Sequence, residues 1–394
     1  MDFSLSQKEV GFAREVREWL EANLPQEWRK DRLWTRADDP SWDVVARAWQ
    51  RKLLEGGWGA ISWPPEWGGR GATVIERWLF DEELDRAGAP RPYGAASVDM
   101  IGTAILHHGS EAQRERFLRP LLRAEEIWCQ GFSEPGAGSD LGGLATRAER
   151  NGDEFVVSGQ KVWTSYANVA DWCFLLCRTE HDQPKHRGLS LLLVDMKSAG
   201  IAARPLKQIT ANSEFCEVFF DAVRVPVANQ LGGAGSGWQI AMGILAHERG
   251  PVWTFGFQRG IRRSFQRITE TAKRRCGGRV SDPLLRQRLA QAHIEVDVLR
   301  LFGYRSLTRL LRTGKPGVES SMEKVLGSET DQRLQQLALE IIGPHAALWR
   351  GSHAVEGGDF CNAYLYSRSE TIMGGTSEIQ RNIIAQRILG LPRD

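Results

Sequence analysis

Apolar residues recur at helical spacing through the first third of the chain. Phe12, Val16, Trp19 and Leu20 form one stripe over residues 6–24, the mark of an amphipathic helix. Ser6 and Glu9 have capping-box spacing at its start. The same pattern predicts helices over 41–56, 74–87, 96–107 and 111–123, separated by the Pro/Gly connections WPPEWGGRGA and GAPRPYG. From about residue 126 the texture changes. EFVVSGQKVWTS, DWCFLLCRT, LSLLLVDM, IAARPLK and SEFCEVFFDAVRVP are short, rich in β-branched and aromatic residues and bounded by turn residues, so they read as strands. From Gly237 the helical period returns, predicting helices over 237–275, 282–312, 318–345, 350–369 and 378–389. Long helices with short links fit an antiparallel bundle. The division expected is helical 1–125, β 126–228 and helical 229–394, an α+β multidomain chain without internal repeats.

Composition narrows the function without assigning it. At 394 residues the chain exceeds one ordinary core. A net charge of +2 gives no reason to expect nucleic acid or an anionic membrane as partner. No apolar run reaches the roughly 18 residues a membrane span needs. MDFSLSQKEV lacks the basic start and apolar core of a secretory signal, so a cytoplasmic location is expected. Cys173 and Cys177 share an apolar strand with no further ligands nearby; they read as buried structural thiols, and no metal is expected. His181 and His186 fall in a polar hairpin loop and read as surface residues.

Two stretches carry candidate chemistry. WCQGFSEPGAGSDL, 128–141, leaves an apolar segment and enters a turn with Pro135, Gly136 and Gly138. Glycines there permit positive φ and close approach to a ligand, and successive free amides can form an anion-binding nest. Ser133, Ser139 and Asp140 add short polar groups. GQKVWTS, 159–165, places the flat ring of Trp163 beside the hydroxyls of Thr164 and Ser165. That combination suits a planar heterocycle that also needs hydrogen bonds.

These motifs resemble the flavin-dependent acyl-CoA dehydrogenases. Residues 131–140 follow the family signature, with Phe132 where an aliphatic residue is commoner. ISWPPEWGGRGA (61–72) and GGTSEIQRNIIAQRILGLPR (374–393) extend the resemblance over nearly the whole chain. It implies an N-terminal helical domain, a middle β-barrel and a C-terminal four-helix bundle, with FAD between the last two. It also implies that an acyl-CoA thioester is oxidised between Cα and Cβ, that flavin accepts the hydride and that an electron-transferring flavoprotein reoxidises it. Phe132, Ser133, Gly138, Ser139, Trp163, Thr164, Ser165, Thr376 and Glu378 match flavin positions. Ser139, Gly374 and Gly375 match positions beside the substrate.

The α-proton requires a base, best a carboxylate in an apolar pocket where desolvation raises its pKa. One branch of the family keeps a Glu immediately before Gly-Thr near the C-terminus. Here Gly374 occupies that place, with Glu370 and Glu378 as the nearest carboxylates. The other branch places its Glu before an Arg on the first bundle helix, which points to Glu248 followed by Arg249. Helical spacing puts Ile244, Leu245 and Val252 on the face of Glu248, and His247 about 100° away. Pro251 interrupts the helix ladder just beyond. Arg249 is expected near the CoA portion. Ser377 and Gln380 have capping-box spacing, which starts a helix at Glu378.

Two further positions resemble segments that reach a neighbouring subunit's flavin. Arg274 in RRCGGR matches the family Arg, but Gly277 replaces its Phe. In EIIGPHA, Glu340 stands for Gln and Pro344 for the second Gly after Gly343. The expected assembly is a homodimer or homotetramer; the substituted positions also fit a partner of different sequence. The same motifs are compatible with a same-fold oxidase or monooxygenase, with a carrier-protein-linked acyl dehydrogenase, and with a subunit of a hetero-oligomeric dehydrogenase.

Overall fold

The structure is a computed structural model. It describes residues 4–26, 28, 42–90, 97–248, 251–314 and 317–392, with backbone only at 42–43, 97, 246–248 and 251–254. The chain divides into two compact units after Glu248.

In the first unit, side chains satisfy the free amides that open three helices. Ser6, Thr73 and Ser110 accept the amides of Glu9, Glu76 and Gln113, whose side chains reach back to the cap. These reciprocal bonds start Gln7–Asn23, Val74–Ala87 and Glu111–Leu122. Trp42–Glu55 lies between the first two, and a π-helical turn Ser97–Gly102 runs into Thr103–His108. Val16, Leu20, Trp49, Leu53, Trp58 and Phe80 form a core of their own. Trp58 stacks on Phe80 at 5.6 Å.

Eight strands follow: β1 Trp128–Gly131, β2 Arg147–Asn151, β3 Glu154–Ser165, β4 Trp172–Arg178, β5 Leu189–Asp195, β6 Ile201–Pro205, β7 Phe215–Pro226 and β8 Gln230–Leu231. They form a mixed sheet ordered β6-β7-β3-β2-β4-β5-β8, with β1 parallel to β4. Strands β4 and β5 are apolar almost continuously because both faces are covered. Phe174, Leu176, Leu191 and Leu193 pack with Phe117, Leu118, Ile240 and Ile244 of the helices. The alternate residues Cys173, Leu175, Cys177, Leu192 and Val194 pack with β3 and β7. Gln113 ties helix to sheet by donating to the carbonyls of Ala228 and Gln230.

Of the helix expected over 237–275, Gly237–Glu248 and Pro251–Arg275 are helical, and residues 249–250 lie outside the described residues. The second unit continues with Pro283–Thr313, Ser320–Ile342, Asp359–Glu370 and Ser377–Ile383. The long helices pack around Ile261, Ile268, Leu289, Val296, Leu299, Leu334 and Leu337. A Cβ at Gly327 would lie 2.7 Å from the Phe257 ring, and one at Gly303 would meet Gln258 at 2.5 Å. Glycine at both crossings lets the helices approach closely.

The last helix corrects one expectation. Its N-cap is Thr376, whose hydroxyl accepts the Ile379 amide at 3.2 Å, and the helix starts at Ser377. The Gln380 side chain instead donates to the carbonyls of Gly374 and Gly375. The capping box expected from Ser377 and Gln380 therefore does not form; the left-handed glycines turn the Gln380 amide back onto their own carbonyls.

Candidate active site

The first-unit motifs form one continuous surface. Phe132 is buried with its ring edge-on to Phe174 at 5.6 Å, so only its backbone faces the loop. Ser133 is half-buried, and its carbonyl accepts the Val162 amide at 2.9 Å. Gly136, Gly138, Ser139 and Asp140 are exposed. A Cβ on Gly136 or Gly138 would touch nothing within 4 Å, which leaves that backbone open to an incoming group. Asp140 pairs with Lys185 at the rim.

Strand β3 carries a bulge at this surface. Lys161 pairs with Val218 and Thr164 with Cys216, so three steps on β3 oppose two on β7. The extra residue turns Trp163 outward at φ 60°, a costly conformation for a bulky side chain. Trp163 is 61% exposed and makes a T-shaped contact with the Phe215 ring at 6.1 Å. Thr164 is fully buried, and its hydroxyl has no hydrogen-bond partner among the described residues. Ser165 is half-buried at the strand end. A strained backbone that exposes an indole, an orphaned hydroxyl beside it and an open glycine loop fit a planar ring system carrying phosphate, which is what FAD is. On the helix Gly237–Glu248, which carries the expected base, Ile244 is buried and Leu245 packs partly against the core. The side chain of Glu248 and the whole of Arg249 lie outside the described residues.

The second unit holds the C-terminal turn. Gly374 and Gly375 have φ of 65° and 89°. A Cβ on Gly375 would lie 2.5 Å from the Gln380 side chain. Both features make glycine necessary there. Thr376 caps the helix, and Glu378 is exposed in its first turn. Helix amides and Thr376 hold the Glu378 carboxyl below its ordinary value. The hydroxyl of buried Ser377 has no partner among the described residues.

Behind this turn lies a polar cluster that sequence reasoning did not foresee. Lys324 donates to the Glu370 carbonyl at 2.7 Å and Gln335 to the Asp331 carboxylate at 2.9 Å. Burial, followed by the neighbouring Asp331 carboxyl, pushes Glu370 up to about 9. Burial also raises Asp331, and it lowers Lys324 to about 8. Burial thus favours the protonated form of both acids.

The two positions resembling cross-subunit contacts are engaged within the chain. Arg274 donates to Glu356 at 2.6 Å, and Glu356 also takes Arg267. Glu340 pairs with Arg288 and accepts from Gln336. Gly343 ends its helix at φ 66°. Cys129, Cys173, Cys177 and Cys216 are buried thiols, Cys276 is exposed and Cys361 intermediate. No group of metal-ligating side chains occurs among the described residues. His186 is exposed and stacks on Trp238 at 4.3 Å.

Two buried residues that the motifs did not single out also belong to this surface. Lys161 is 0% exposed and pairs with Glu134 at 2.8 Å. A signal was present: Lys161 falls on the same side of β3 as buried Phe155 and Val157, and a charge at that parity demands a partner.

Three family models match in order: acyl-CoA dehydrogenase N-terminal domain over 6–125, middle domain over 129–223 and C-terminal domain over 235–389. The acyl-CoA dehydrogenase IpdE1 of Mycobacterium tuberculosis is 39% identical over 385 residues, covering 97% of this chain and 98% of the relative. A solved structure named Tcur3481-Tcur3483 steroid ACAD has 28% identity and a TM-score of 0.86, with 100% of each chain covered. The ChsE4-ChsE5 complex from Mycobacterium tuberculosis has 30% identity and a TM-score of 0.80, again covering 100% of each chain.

Proposed function

This chain belongs to the acyl-CoA dehydrogenase family, and from that premise we propose that it desaturates a bulky acyl-CoA thioester between Cα and Cβ, with Glu248 as the base. FAD is its cofactor and supplies, when bound, the two-electron acceptor that no side chain offers. The observation that carries the reading is the β3 bulge, where Trp163 is held outward at positive φ beside the orphaned Thr164 hydroxyl. Trp163 with Thr164 and Ser165 lines the ring system, and the amides around Gly138 and Ser139 face its phosphates or the thioester. By family position, Thr376 and Glu378 are assigned to the flavin and Gly374 and Gly375 to the substrate.

Glu248 is favoured by elimination as well as by family position. Gly374 has no side chain. Glu378 is an exposed first-turn carboxylate, and Glu370 holds its proton through neutrality. A group already protonated cannot accept the α-proton. Arg249 is assigned to the CoA portion on family position alone. Electrons leave to an electron-transferring flavoprotein.

The substrate class rests on likeness to the steroid ACAD named above: an acyl-CoA with a polycyclic or branched acyl group. Assembly with a second, non-identical chain of the same family is favoured. Arg274 and Glu340 are consumed by Glu356 and Arg288, and Gly277 and Pro344 replace the residues expected for a self-complementary flavin contact. Two of the similar structures carry names joining two different chains.

The test is anaerobic mixing of the FAD-loaded protein with a panel of linear, branched and ring-bearing acyl-CoA thioesters. Bleaching by the ring-bearing members, abolished by Glu248→Gln, is expected. Bleaching that survives Glu248→Gln moves the base elsewhere. Rapid reoxidation of the reduced protein by O2 would identify an oxidase instead.

A further inference from the structure

Glu134 and Lys161 meet where the glycine loop joins the β3 bulge. The Glu134 carboxylate accepts the Ala145 amide at 2.7 Å, the Thr146 amide at 2.9 Å and Lys161 Nζ at 2.8 Å. Lys161 Nζ also donates to the Phe132 carbonyl at 2.9 Å. One carboxylate therefore fastens both ends of loop 135–144: it belongs to the residue before the loop and holds the two after it. Glu134 and Ala137 exchange backbone hydrogen bonds, 3.0 Å each way, which shapes the first turn. The residue after Lys161 donates its amide to Ser133, and the bulge bearing Trp163 begins there.

Fold stability alone is a weak reason for such a pair. Desolvating two charges costs about as much as their attraction returns, and apolar replacements are often neutral. What the charges add is directional. Without them the Ala145 and Thr146 amides and the Phe132 carbonyl lose their partners in a dry site, which drives the loop to open toward water. Burial opposes the ionisation of Glu134, yet the Lys161 ammonium and the two amides hold its carboxyl below the ordinary value. Burial lowers Lys161, and Glu134 offsets part of that.

We propose that Glu134 and Lys161 are positioning residues that lock loop 135–144 to the Trp163 bulge, so that loop amides and indole form one preset surface for FAD. This rests on the reading that the surface is the FAD half-site.

The full-length chain tests it as Glu134→Met/Lys161→Met, which removes both charges and keeps the volume, and as Glu134→Gln. Two readouts are used: hydrogen exchange of the FAD-free chain and titration with FAD. Expected is at least tenfold faster exchange across 133–146 and 162–165, unchanged protection of β5, and at least tenfold weaker FAD affinity. Unchanged loop exchange overturns the proposal, as does faster loop exchange with unaltered FAD affinity. Equal loss of protection in the loop and β5 also overturns it, because the pair would then serve the whole fold. Should the double variant not fold, Glu134→Gln decides by the same criteria. A wild-type chain that binds no FAD either alone or assembled with its non-identical partner refutes the half-site reading, and this proposal with it.

Discussion

Replacing Trp163 separates the ring's service to the fold from its service to the cofactor. Trp163 is 61% exposed, so of roughly 250 Å² for a tryptophan about 150 Å² remains in water. A planar ligand on one face covers about half of that, which at ~25 cal/mol/Å² contributes about 2 kcal/mol, or roughly 25-fold in dissociation constant. The fold loses the T-shaped contact with Phe215, on the order of 0.5–1.5 kcal/mol. Trp163→Ala keeps a non-glycine residue at φ 60° and so keeps the strain. Trp163→Gly removes the strain as well, about 1 kcal/mol. The expected pattern is a small drop in melting temperature for Ala, recovery for Gly, and the same weakening of FAD binding in both. Flavin fluorescence titration and thermal melts measure the two sides. Unchanged FAD affinity in both variants refutes the stacking argument whatever the melts show.

Further outcomes follow from the same geometry. Glu248→Gln should leave FAD affinity unaltered and slow flavin reduction by acyl-CoA by about 10² to 10⁴-fold, read by anaerobic stopped flow. Glu370, raised from 4.5 to about 9, binds a proton in the folded chain that the unfolded chain releases. Its stabilising contribution is complete below 4.5 and is lost as pH rises to about 9. Lys324, lowered from 10.5 to about 8, restores stability between those two values. Glu370→Gln, which imitates the protonated acid, should flatten the lower of these slopes in melts taken across pH. Gly375→Ala places a Cβ at φ 89° and 2.5 Å from the Gln380 side chain. It should cost about 1–3 kcal/mol of stability and loosen FAD, whereas Gly138→Ala, with open space around it, should leave the melting temperature within a few degrees.

The helices were legible because their signals are local. The stripe over 6–24 and its cap reappear as Gln7–Asn23 with the Ser6–Glu9 box. The C-terminal cap differs by one residue because Thr376 and Ser377 are both cap formers, and only the two left-handed glycines before them decide between the pair. Trp163 stands out in the sequence for its ring; its strained backbone was not legible, because a bulge depends on how β3 registers against β7, some fifty residues away. Lys161 and Glu134 lie within the two motif stretches but were not singled out there, although parity marks the lysine. The Asp331–Glu370 pair joins two helices far apart in sequence, and no periodicity within either one announces it.

The N-terminal aromatic core has a consequence for how the chain is made. Its members, from Val16 through Trp49 and Trp58 to Phe80 and Ala89, all lie within the first 89 residues, and capping boxes start two of its helices. Contacts so close in sequence form quickly. The sheet, by contrast, must bring β1 to β4, β3 to β7 and β5 to β8 across long stretches. A chain emerging from the ribosome at about 5–20 residues per second therefore completes its tryptophan core seconds before β7 exists. That core is therefore complete while the strand partners of β1 are still being synthesised.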